Sequence, residues 1–299
     1  GGVELTYVDT GGTIGNATTG SSFGANSGLT FTGSGDVGFG TVSMTRAIND
    51  TNTGWGSSFQ TLDMGAMGVF SFDSTGGALV GSKANDDLLP TAYEEMWTGV
   101  SSSGVTGAGS TNVIGYRNSY GMMDLSVGYS QLGTAIGESA SSGGASHGSV
   151  YDYSVTLNDV EGLTVNAGYA VNSSTDLGLL STDTTSMNVQ AIYAIDAFSL
   201  GYRMAEVDRG TAATGSQVID AYSVAYNVNE NFAISYGAQD TEYESIGATA
   251  GVTEEVVGLS AAYTVGAASI RVNKSTSDND GGVTGVDDET TEISLILSF

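Results

Sequence analysis

The chain has 299 residues, 40% of them hydrophobic, with 45 glycines, one proline and no cysteine, and 33 acidic residues against 7 Lys and Arg give a formal net charge of −26. The lack of cysteine excludes a disulfide framework and thiolate-bound metal, and the lack of clustered positive charge excludes a nucleic-acid partner. Recurring Tyr, Val and Ile runs argue against disorder, and no window approaches the roughly 18 unbroken apolar residues of a membrane-spanning helix, which leaves open a barrel whose strands need only about 9 to 11 residues with one apolar face.

The opening stretch, GGVELTYVDT, carries neither an initiator Met nor a basic start followed by an apolar run. It is read as the start of a processed product or a fragment. Within it, Val3 to Asp9 is the first predicted strand. GLTFTGSG and GFGTVSM follow, joined by the short turn Asp36 to Gly38. The run SSFQTLDMGAMGVFSFD is split into two strands at Gly65 and Ala66, where the glycines could equally mark bulges. After a long insertion, MDLSVGYS, YDYSVTL, GLTVNAGYAV, MNVQAIYAI, FSLGYRMAEVD, DAYSVAYNV, NFAISYG, VGLSAAYTV, ASIRVN and the terminal TEISLILSF all alternate with period two, so all are strands.

Short connections at Ser119 to Gly121, Asn158 to Gly162, Asp196 and Ala197, Asn227 to Asn231, and Gly266 and Ala267 alternate with long ones rich in Gly, Ser, Thr and Asp. That rhythm predicts an all-β, antiparallel, up-and-down sheet of about sixteen strands, with tight turns at one end and long loops at the other. The faces decide between a soluble sandwich and a transmembrane barrel. Leu163, Val165, Ala167, Tyr169 and Val171 share one face, whereas Thr164, Asn166, Gly168 and Ala170 share the other. Across the chain the second face carries Gly, Ser, Ala, Asn and Thr, with charge pushed to strand ends. This favours a polar lumen inside a lipid-facing wall over a sandwich face free to carry Lys and Glu. Tyr116, Tyr129, Tyr169 and Tyr202 suit interfacial girdles, and Phe299 suits a lipid-face anchor on a last strand paired with the first.

The terminal EISLILSF, GLTFTGSG followed by GFGTVSM, and the hairpin around MGAMGVFSFD leading into a long insertion resemble Gram-negative outer-membrane diffusion porins, nearest to those of alphaproteobacteria. The resemblance spans the whole chain, 1–299, as one domain. It implies a sixteen-stranded barrel in the outer membrane, a homotrimer embedded in lipid, with an inward-folded loop narrowing the channel and acidic groups on that loop facing a basic wall. The matching segment is 74–110. It holds Asp86, Asp87, Glu94 and Glu95 beside a single Lys83, with about a turn of helix expected in PTAYEEMW after Pro90. A plain acidic surface loop is the competing reading. On the wall, alternation turns Arg117, Arg203 and Arg271 inward, whereas Arg46 falls with Val42 and Met44 and needs a bulge or snorkelling to reach the lumen. Simple pairing with nearby carboxylates is the alternative role for all four. Glu4 stands where the resemblance expects an inward base.

Other motifs carry less. His147 is the lone histidine, so no multi-His metal site or triad exists. The stretch TSDNDGG offers weak calcium binding at Asp278 and Asp280, but it lacks the first Asp and the twelfth-position Glu of a calcium loop, and a solvated loop fits better. Glu254 and Glu255, like Asp287 and Asp288, are sequence neighbours at loop margins and make no acid/base pair. No enzymatic chemistry and no cofactor are called for. The expectation is a water-filled, cation-preferring passage for ions and small hydrophilic solutes, and the alternatives are a substrate-specific channel or a non-conducting adhesin or structural barrel.

Overall fold

A computed structural model describes residues 2–12, 22–27, 29–48, 55–75, 87–100, 112–132, 146–176, 183–209, 215–244 and 251–298. Asp86, Lys83 and Phe299 lie outside these, as does the side chain of His147.

In chain order the strands are β1 (Gly2–Gly12), β2 (Phe23–Ser27), β3 (Leu29–Asp36), β4 (Thr41–Ile48), β5 (Trp55–Asp63), β6 (Val69–Thr75), β7 (Val113–Tyr120), β8 (Met123–Leu132) and β9 (Ser146–Val160). Then come β10 (Leu163–Asp176), β11 (Thr184–Ile195), β12 (Phe198–Asp208), β13 (Gln217–Asn229), β14 (Phe232–Tyr243), β15 (Thr253–Val265), β16 (Ala268–Asp278) and β17 (Asp287–Ser298). Each consecutive pair from β3 to β17 is antiparallel, as in β12 with β13 and β16 with β17. The last strand returns to the first, Gly2 opposite Ser298, and β1 also pairs with β2.

Seventeen strands stand where about sixteen are expected, and the difference lies at one position. β2 bonds back to β1 and β3 forward to β4; in sequence only Gly28 comes between them, and no ladder joins them among the described residues. The ring of ladders is therefore interrupted at this junction, and counting β2 and β3 as one broken strand restores sixteen. The break between β5 and β6 falls where the glycines predict it, at the 3-10 turn Gly65–Met67. The two-residue turn after β11 works because Asp196 takes up a left-handed φ of 51°, which Asp tolerates better than most residues.

The wall is inside out relative to a soluble protein. In β12, Leu200, Tyr202 and Met204 are 47, 48 and 53% exposed on the outer face, whereas Arg203 and Ala205 are 0 and 4% exposed on the inner. The buried inner face is polar: Ser126 and Ser154 share a 2.6 Å hydrogen bond, and Asn166 donates to Thr156 at 2.8 Å and accepts from Gln190. Rings pair along the outside, Phe198 with Tyr226 and Tyr129 with Tyr151. Rings near the turn end and mid-wall fit an apolar belt bounded by amphipathic aromatics.

Candidate functional site: a segment crossing the lumen

Residues 87–100 do not lie on the surface but pack against the inner faces of β11 to β17. Leu89, Met96, Trp97 and Val100 are buried there with Ala221 and Val256, a small apolar core inside a polar tube. Glycine makes the approach close enough. A side chain at Gly237 would come within 2.7 Å of Met96, one at Gly201 within 2.5 Å of Pro90, and one at Gly258 would overlap the Met96 backbone.

The helix expected after Pro90 does not form. Residues 92–100 run through bends and turns, closed by Thr98 N–H to Glu95 O and Val100 N–H to Trp97 O. The reason lies in where the backbone donors go. Ala92 N–H is taken by Ser235 Oγ at 2.9 Å, Tyr93 N–H by Ser260 Oγ at 3.1 Å, and Leu88 N–H by Gln190 Oε1 at 3.0 Å. Ser235 and Ser260 are themselves 2.7 Å apart. With wall side chains and the Thr91 hydroxyl satisfying these amides, a helical ladder offers nothing further.

Two groups of charge result. In the first, Tyr93 donates to Glu292 at 2.7 Å, its oxygen lies 3.5 Å from Glu4, and Ser294 donates to Glu4. Glu94 and Glu95 share the Thr98 hydroxyl at 3.4 and 3.3 Å. Arg271 lies over the Tyr93 ring, 5.4 Å from its centroid, and bonds Ser269. Burial, then the charges of Glu95 and Glu292, push the Glu94 carboxyl above its ordinary range. Burial and the bond to Glu292 likewise raise the Tyr93 phenol. In the second group Arg203 is fully buried under Trp97, 5.5 Å from the ring centroid, and its Nε donates to Asn188 at 3.0 Å. Asp87 acts on it electrostatically and accepts the Leu89 N–H.

Arg117 stands apart. It is exposed, lining a cavity of about 680 Å³ on the opposite wall with Asn118, Asp124 and Asn166, and Leu88 bounds the near side. Arg46 is half-buried opposite Phe31 and Ser58, and bulges at Ala47/Ile48 and Ser58/Phe59 flank it. Asp87, Glu94, Glu95, Arg203 and Arg271 are thus all in contact with, or part of, the lumen segment, while Arg117 faces it across open space.

Sequence reasoning passed over Glu292 and the serine anchors. Glu292 was visible as a charge on the polar face of β17, and Gly201, Gly237 and Gly258, all at inward positions, are the residues that signal a close backbone approach. At the calcium reading of Asp278 and Asp280, no three acidic or His side chains among the described residues form a metal-holding group. Asp278 is exposed, and Glu254 instead ties down the 280–282 turn by accepting from Gly281 N–H and Ser277, each at 3.1 Å. Burial, followed by the charge of Glu254, pushes the Asp280 carboxyl upward.

Comparison with known proteins agrees with this geometry. A Gram-negative porin family model matches residues 2–298. No curated protein is matched by the sequence. Among solved structures, the anion-selective porin of Comamonas acidovorans superposes with a TM-score of 0.67 at 15% identity, covering 99% of this chain and 97% of that one. A porin refined at 1.8 Å gives 0.71 at 17% identity, with 100 and 98% covered. The trimer form of OmpT from Vibrio cholerae gives 0.65 at 16%, with 100 and 96% covered. The chain belongs to the Gram-negative porin family and is an integral protein of the outer membrane.

Proposed function

We propose that this outer-membrane diffusion channel prefers cations, passes ions and small hydrophilic solutes through a water-filled lumen, and works as a homotrimer, with 74–110 as its constriction loop. One observation carries the selectivity: Glu94 and Glu95 on the lumen segment are joined by Glu4 and Glu292 from the wall, against Arg271 alone in that group. Asp87 is offset by Arg203, and Arg117 faces the passage from the far side. Asp86 and Lys83 belong to the same constriction by sequence. Fixed negative charge within a Debye length, about 8 Å at physiological salt, concentrates cations and depletes anions. The Comamonas porin is anion-selective, so the sign rests on this chain's own side chains.

Reversal potential in a KCl gradient is the test. Strong cation preference in dilute salt should fade near 1 M, where screening shortens to about 3 Å. Replacing Asp86, Asp87, Glu94 and Glu95 by Asn and Gln should move the potential towards zero. Anion selectivity at low salt in the unaltered protein would mean that the arginines dominate the field. Absence of any steady conductance in protein that shows heat-modifiable migration would favour the adhesin or structural barrel.

A further inference from the structure

The short-turn end of the lumen, which in such barrels faces the periplasm, holds two opposite charges that stand close without pairing. Arg117 of β7 is opposite Ser126 of β8, and Asp124 of β8 is opposite Ser119 of β7. The two charged residues are therefore diagonal neighbours on the inner face, roughly 7 to 8 Å apart. An arginine side chain is long enough to close that gap. Asp124 instead accepts from the Asn158 amide at 2.6 Å, and Arg117 is exposed with no hydrogen-bond or ion-pair partner among the described residues.

Both line the cavity of about 680 Å³, and the rest of its polar wall is largely committed. Ser126 and Ser154 bond each other, Asn166 donates to Thr156, and Asp63 accepts the Gly65 N–H at 2.8 Å. What the cavity still offers a solute is a free guanidinium and, a diagonal step away, a carboxylate with lone pairs to spare. A solute with negative charge alone gains Arg117 but is repelled by Asp124 and Asp63, and one with positive charge alone gains the carboxylates but is repelled by Arg117. A solute that carries both charges gains both contacts.

We propose that the periplasmic mouth binds small zwitterions bearing a carboxylate and a primary ammonium, the carboxylate on Arg117 and the ammonium on Asp124. The arginine fork suits a carboxylate through parallel hydrogen bonds, and the ammonium's donors suit the lone pairs that Asn158 leaves on Asp124. The cavity holds such a solute with water beside it, so binding slows the ion current without closing the passage. The pair lies across the lumen from the group of Glu94, Glu95 and Glu292. The inference rests on the reading of the chain as an open channel, but not on the sign of its ion selectivity.

Planar-bilayer conductance in dilute KCl at neutral pH tests this, with the fold of each protein checked by heat-modifiable migration. β-Alanine should lower the conductance saturably, whereas propionamide, of the same carbon count and uncharged, should give only a small linear fall. Arg117→Gln and Asp124→Asn should each raise the β-alanine concentration of half effect about tenfold, and near 1 M KCl the effect should fade as the charges are screened. A linear response to β-alanine that matches propionamide's, or a saturable response that neither substitution changes, would overturn the proposal. So would a loss in Arg117→Gln with none in Asp124→Asn, which marks a plain anion site. Absence of steady conductance before any solute is added would instead refute the channel reading, and this inference with it.

Discussion

The Tyr93 hydroxyl donates to the Glu292 carboxylate at 2.7 Å, linking a loop residue to the last strand across 199 positions of sequence. Removing the hydroxyl in Tyr93→Phe leaves the ring under Arg271 but frees Glu292. A hydrogen bond to a charged group is worth about 1.5 to 3 kcal/mol, so the variant should unfold earlier by an amount in that range, read as a lowered urea midpoint.

Proton binding at Glu94 should give the proposed cation preference a pH dependence. Its folded-state pKa is raised, first by burial and then by Glu95 and Glu292, so the folded protein holds this proton more tightly than the unfolded chain. Stability from this group is therefore present at low pH and lost as pH rises from the ordinary Glu value of about 4.3 through the raised one. Cation preference should run the opposite way, falling as pH drops and starting to fall above pH 4.3. Reversal potentials across that range should show the step in the unaltered protein and not in Glu94→Gln.

Gly258 should tolerate no side chain. Gly258→Leu would drive the Met96 backbone off the wall and open the core of Leu89, Trp97 and Val100. Overpacking of this kind costs about 1 to 3 kcal/mol, and it should fall on the loop and not on the barrel. Limited proteolysis should then cut within 87–100 while the barrel fragments still migrate as folded. An uncut loop would mean that Met96 relocates without loss.

Replacing Arg203 by Met keeps the stack on Trp97 but removes the charge acting on Asp87. Asp87 then adds its full field to the lumen. The cation-to-anion permeability ratio in dilute salt should rise about twofold, an effect of fractions of a kcal/mol.

The two faces of the wall should respond in different ways. Leu200→Arg, on the outer face, should cost about 2 to 4 kcal/mol of folding into lipid. Asn166→Ser, on the inner face, strands the Gln190 amide and the Thr156 hydroxyl, and should cost about 1 kcal/mol. Refolding titrations in lipid vesicles measure both.

Alternation made most of the barrel legible. Leu200, Tyr202 and Met204 against Arg203 and Ala205 is a pattern of nearest neighbours, and each strand carries it independently. The loop was less legible because its conformation is decided by residues far away in sequence. PTAYEEMW has the composition of a helix start, but Ser235 and Ser260 claim its amides, and no local pattern announces partners 143 and 167 positions distant. Arg271 came out inward from parity alone, opposite Ser294. Its seat over Tyr93 depended on where the loop fell.

The serine anchors at Ala92 and Tyr93 grip the main chain, and a main-chain amide is the same whatever side chain it carries. Attachment is therefore divided between the wall, through Ser235, Ser260 and its glycines, and the segment's own Leu89, Met96, Trp97 and Val100, whereas the charged Glu94 and Glu95 add nothing to it. The Ala92 bond to Ser235 uses no side-chain atom, so Ala92→Ser should leave that mooring in place.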